Sequence, residues 1–108
     1  MKAKRENVSI INRDCNLEGT LDFKGYLIVV GSINGTLNAE TVVTEEDSHI
    51  LAKANVNSMT IAGYFEGEMI VTETLTISGT GNVKARIKCN KLAIEEGGVL
   101  NGNVTFLR

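Results

Sequence analysis

One short word recurs six times along this chain. "LEGTL" (Leu17 to Leu21), "INGTL" (Ile33 to Leu37), "FEGEM" (Phe65 to Met69) and "LNGNV" (Leu100 to Val104) all read apolar, any, small, any, apolar. The stretches around Ala52 and Ala85 keep the same shape. Aligned on the central small residue, the copies sit at Gly19, Gly35, Ala52, Gly67, Ala85 and Gly102, with spacings of 16, 17, 15, 18 and 17 residues. Self-similarity at such a period marks a repeat architecture, in which each copy buries its apolar face only against its neighbours.

The columns around the anchor define that face. Two residues before it stand Leu17, Ile33, Ile50, Phe65, Val83 and Leu100; two after it stand Leu21, Leu37, Ala54, Met69, Ile87 and Val104. Four after it come Phe23, Ala39, Val56, Val71, Cys89 and Phe106, and four before it Cys15, Gly31, Ser48, Gly63, Gly81 and Gly98. Period-2 alternation places these residues on one side of a strand and the intervening polar residues on the other. Five copies lead into a second short strand, whose inward pairs read Leu27 and Val29, Val42 and Thr44, Met59 and Ile61, Leu75 and Ile77, Leu92 and Ile94. Eleven Gly and no Pro suit a chain of turns and uninterrupted ladders. The pattern predicts an all-β fold, a single parallel β-helix of about six coils of roughly 17 residues, with rungs ~4.8 Å apart. The small anchors are expected to face inward and let opposite walls approach. The stretch Thr44 to Val56 has some helical character, yet Ile50, Ala52, Ala54 and Val56 keep the columns, so it counts as a rung. A hexapeptide helix of the acyltransferase kind fails, since Ala39 and Glu45 stand where aliphatic residues would recur after Ile33.

At this point the chain resembles the bactofilins, bacterial polymer-forming proteins. The likeness lies in the repeated apolar-x-Gly-x-apolar word, the coil length and "LAIEEGGVLNGNV" (Leu92 to Val104), and it spans roughly residues 8 to 108. The resemblance implies a right-handed β-helix that joins end to end into filaments without nucleotide. It also implies a cytoskeletal scaffold in the cytoplasm, often at the membrane, serving cell shape or the cell envelope, with other bactofilins or cell-wall enzymes as partners. Residues 1–7 read as a short charged tail before a β-helix domain over 8–108. That tail lacks the apolar peptide by which some family members reach a membrane, so membrane association finds no support there.

Composition narrows the function further. The net charge of −2, with eleven Lys and Arg dispersed among thirteen acids, leaves no basic stripe for nucleic acid. The basic opening "MKAKRENVSI" has no apolar core after it, so no secretory signal is expected, and a cytosolic setting would keep both cysteines as thiols. No enzyme, cofactor or metal is expected. His49, the lone histidine, falls in an outward turn column; Glu45 to Asp47 are consecutive acids that point apart and make a poor calcium cage. Cys89 sits in a core column and Cys15 four rungs away, too far for a bridge. The row Thr72, Thr74, Thr76 is not repeated on adjacent rungs as an ice-binding ladder would be, and no recurring carboxylate pair suggests glycoside chemistry.

The physics of an open stack points to self-association. A solenoid ends in rungs with unpaired backbone groups, and this chain carries no polar cap. The candidate interface is the end coils: Val8, Ile10, Ile11 and Leu17 at the start, Leu100, Val104, Phe106 and Leu107 at the finish. A candidate lateral surface is the outward column Ile28, Val43, Thr60, Thr76 and Ala93, led by Ile28 and Val43. The alternative function is a non-polymerising solenoid adaptor, which would show a finite mass independent of concentration.

Overall fold

Ten strands and no helix make up residues 8–107, the part described by a computed structural model. The strands are β1 (Val8–Ile11), β2 (Asn16–Asp22), β3 (Tyr26–Val29), β4 (Ser32–Asn38), β5 (Thr41–Thr44), β6 (His49–Val56), β7 (Ser58–Ile61), β8 (Tyr64–Ile77), β9 (Asn82–Ile94) and β10 (Val99–Phe106). The charged tail expected over residues 1–7 lies outside the described residues.

Every pairing is parallel, and the strands stack in two series. One runs β2, β4, β6, β8, β9, β10, and its register joins Gly19 to Gly35, Ala52, Gly67, Ala85 and Gly102 in turn. The second runs β1, β3, β5, β7 and then the later halves of β8 and β9. The result is a β-solenoid of about six turns. Thr44 to Val56 supplies the end of β5, a turn and β6, with no helix.

The apolar columns fill the interior. Ile33, Ile50, Phe65 and Val83 from one column and Leu37, Ala54, Met69 and Ile87 from another are buried, as are Leu27, Val42, Met59 and Leu75 from the second strands. Thr44 also points inward, and its Oγ1 accepts the Ala62 backbone N–H at 3.0 Å, which removes the cost of burying a hydroxyl. Outside, an amide ladder reinforces the early rungs: Asn55 Nδ2 donates to Asn38 Oδ1 at 3.1 Å, and Asn38 Nδ2 donates to Asp22 Oδ1 at 2.7 Å.

The glycine anchors do a different job from the one expected. Ala52 and Ala85 are buried, but Gly19, Gly67 and Gly102 are exposed, so wall-to-wall approach does not explain the choice of residue. Gly35 has φ 137°, a conformation that L side chains rarely adopt, and a Cβ there would run into the carbonyl oxygen of Gly19 on the preceding rung. The neighbour that forbids a side chain is the rung below.

Corners absorb the variation in coil length. The corner after the second strand has two residues at 30–31 and 62–63 but four at 45–48, 78–81 and 95–98. Longer corners overhang shorter ones, as where Thr80 Oγ1 donates to the Ala62 carbonyl at 2.7 Å.

Candidate self-assembly interface

A strand inside the stack has a neighbour on each side; β2 and β10 have one. Among the described residues β2 pairs only with β4, and β10 only with β9, so each presents a row of backbone N–H and C=O groups that no described strand takes up. The second series ends the same way, with β1 at the start and the later half of β9 at the finish. Each end is therefore a two-part edge: β1 with β2, and β10 with residues 91–94.

Apolar side chains lie beneath these edges and are incompletely covered. At the start, Leu17, Leu21 and Phe23 are half-buried and pack on the core, whereas Ile33 and Leu37 in the next rung are fully covered. At the finish, Leu100 and Val104 are half-buried, Phe106 is 56% exposed and Leu107 38%. Leu107 stays tied to the stack, because its backbone N–H donates to the Cys89 carbonyl at 2.8 Å. Phe106 pairs with Cys89 in register, in a column that is buried at Val56, Val71 and Cys89. Its ring is exposed because no further rung covers it.

The alternation of β1 divides the three N-terminal candidates that lie on it. Ser9 and Ile11 pair with the inward Leu27 and Val29, and Ile11 is buried. Val8 and Ile10 pair with the outward Tyr26 and Ile28 and are 56% and 57% exposed. Ile10 joins the lateral column Ile28, Val43, Thr60, Thr76 and Ala93, in which Ile28 and Val43 are half-buried, and Val8 joins the adjacent outward column that runs through Tyr26 and Thr41. Sequence reasoning did not single out Leu21, Phe23, Leu92 and Ile94 as end residues. Ile94 is 46% exposed and Leu92 half-buried, since no strand follows β9 in the second series. The signal was present: the sixth copy has no second strand, which leaves the fifth copy's uncovered.

The groups with chemical potential elsewhere are engaged in ordinary contacts. His49 stacks on Tyr64 with ring centroids 4.7 Å apart, and the Tyr64 hydroxyl donates to Glu66 at 2.6 Å. That hydrogen bond, with some loss of solvent and the nearby carboxylate charge, raises the Tyr64 pKa. Burial likewise pushes the Cys89 thiol up, the direction expected of an inert core cysteine, while Cys15 is exposed; both are free thiols. Asp47 pairs with Arg13 at 2.9 Å, and Thr72 turns to a corner to donate to Asn57 Oδ1 at 3.1 Å. Glu66 and Glu68 lie in register beside Lys84 and Arg86 on the next rung, forming a charge-balanced ladder around a shallow surface groove. No helix among the described residues is long and apolar enough to cross a membrane.

A model of the bactofilin family, described as polymer-forming cytoskeletal, matches residues 9–105. No curated protein and no solved structure matches the chain.

Proposed function

The chain belongs to the bactofilin family of polymer-forming cytoskeletal proteins, and on that premise we propose that it stacks end to end into filaments without nucleotide. The observation that carries this reading is the pair of free edges, β2 and β10, each lying over partly covered apolar side chains. Stacking a further rung on Phe106, Leu100 and Val104 would remove their apolar surface from water and give the edge its missing hydrogen-bond partners. The filament acts as a cytoplasmic scaffold that supports cell shape or envelope organisation. Other bactofilins and cell-wall enzymes are its further partners, a role that rests on the family alone.

Negative-stain electron microscopy of the purified protein without nucleotide, beside sedimentation at two concentrations, tests this. Filaments a single solenoid wide are expected. Discrete particles of one mass at both concentrations would replace the scaffold with a non-polymerising adaptor. Phe106→Arg places a charge where apolar surfaces must meet. It should leave the fold intact by circular dichroism and shorten or abolish filaments, whereas filaments of normal length would remove the C-terminal end from the interface.

A further inference from the structure

The outward column that opens each rung of the first series reads Asn16, Ser32, His49, Tyr64, Asn82 and Val99 in register. Two of its members follow two-residue corners, Ser32 after 30–31 and Tyr64 after 62–63. Tyr64 lays its ring on one face of His49, with centroids 4.7 Å apart and planes inclined by 17°. That separation is close to the rung spacing of ~4.8 Å, so the aromatic stack follows the ladder. The ladder continues from His49 down to Ser32, but the stack stops, because Ser32 has no ring to offer. A recess of about 270 Å³ opens there, with Ser32, Ile33 and Asn34 on its middle rung. His49 and Leu51 bound it on the rung above, Asn16 and Glu18 on the rung below. Leu51 is the odd member of its own outward column, which otherwise holds Glu18, Asn34, Glu66, Lys84 and Asn101, and it is 36% exposed.

We propose that this recess binds a neutral phenol ring, in the form that a tyrosine side chain of another polypeptide presents it. The chain supplies its own template in Tyr64, which follows an equally short corner and covers the opposite face of His49. A ring lying over Ser32 would stack on the face of His49 that Tyr64 leaves open and rest its edge on Leu51. Its hydroxyl would find a partner at the same offset. Tyr64 donates to Glu66, two residues along its strand, at 2.6 Å. Two residues after Ser32 stands Asn34, whose amide oxygen accepts such a bond. Size and charge narrow the class. The volume lies just below the ~300 Å³ at which pockets for drug-sized ligands begin, so it suits one ring and not a larger cofactor. Among the described residues that line the recess only Glu18 is charged, and Arg13 on the neighbouring corner is held by Asp47 at 2.9 Å. A phosphorylated ring would meet a like charge there and no cation in that lining.

The test reads the fluorine NMR linewidth of a peptide in which one 3-fluorotyrosine stands between glycines. The protein is far larger than this peptide whether or not it polymerises, so the result is independent of the filament reading. Wild-type protein should broaden the line, and excess unlabelled N-acetyltyrosinamide should sharpen it again. Ser32→Tyr fills the recess from within and should abolish binding, with the fold unchanged by circular dichroism. His49→Ala removes the stacking face and should weaken binding roughly three- to tenfold. Asn34→Leu should weaken the fluorotyrosine peptide by roughly fivefold yet leave a 4-fluorophenylalanine counterpart unchanged, a split that a merely structural role would not produce. A phosphotyrosine peptide should fail to compete. No broadening by the wild type, or broadening that survives Ser32→Tyr, overturns the proposal, and equal competition by phosphotyrosine overturns the neutral class. If N-acetyl-3-fluorotyrosinamide is broadened and the peptide is not, the occupant is a free phenol and the tyrosine reading falls.

Discussion

Phe65 and Phe106 are both apolar column residues of the same repeat, four after and two before its anchor in reverse order, yet their surroundings are opposites. Phe65, on β8, lies between the rungs of β6 and β9 and is 0% exposed; Phe106, on the last strand, is 56% exposed. The residue type is the same, so what separates stabilising the domain from presenting a surface is the presence of a neighbouring rung. The largest expected effect tests that contrast directly. Phe65→Ala removes a fully packed ring and should cost about 3–5 kcal/mol in urea unfolding, enough to endanger a domain of this size. Phe106→Ala should cost under about 1 kcal/mol in dilute solution, because little of its burial is lost. Its effect should fall on sedimentation instead. Comparable losses of stability from both substitutions would break the comparison, by showing that the end rung is as tightly packed as the middle.

The glycine anchors repeat the contrast in the backbone. Gly35 and Gly19 have φ of 137° and 112°, but a Cβ on Gly35 meets the Gly19 carbonyl, whereas a Cβ on Gly19 has nothing within 4 Å. Gly35→Ala therefore combines backbone strain with a collision and should cost roughly 2–4 kcal/mol. Gly19→Ala should cost only the strain, about 1–2 kcal/mol. Both are best compared in the Phe106→Arg background, so that association adds nothing to the measured stability. In the wild-type background, a methyl on Gly19 would project toward whatever rung stacks on β2. A loss of filaments from Gly19→Ala beyond its loss of stability would sharpen the case for the N-terminal edge as an interface; unchanged filaments would sink it.

Most of the fold was legible because a solenoid repeats its evidence in every coil. The register read from Gly19 to Gly102 is the hydrogen-bonded register of the strands, and the inward pairs from Leu27 with Val29 to Leu75 with Ile77 are buried. What the columns could not convey was direction at a bend. Alternation assigns each residue a side but carries no φ, so glycine at the anchor looked like a spacer between walls when the constraint came from the rung below. The ends were partly legible for a related reason. Val8, Ile10 and Ile11 form an apolar cluster in sequence, yet only the pairing of β1 with β3 shows that Ile11 turns inward while Val8 and Ile10 face outward. At the other end, Ile94 looked like core because its column is core elsewhere, and it is exposed because no described strand follows β9 in the second series.

The corners offer the mildest test of what a neighbouring rung contributes. Arg13 and Asp47 belong to corners two coils apart, and they meet at 2.9 Å because the corner between them, at 30–31, is short. Their side chains are 71% and 59% exposed, so the pair sits in water and its Coulomb attraction is weak. Asp47→Asn should cost less than about 1 kcal/mol, and the difference from wild type should shrink further as salt rises through 0.1 M and beyond, where screening acts within about 10 Å. A larger, salt-independent loss would mean that the overhanging corner positions the N-terminal rung mechanically. In that case the edge at β2 would owe its shape to the third coil as well as to the second, and the division between interior and end rungs would reach one coil deeper into the stack than packing alone requires.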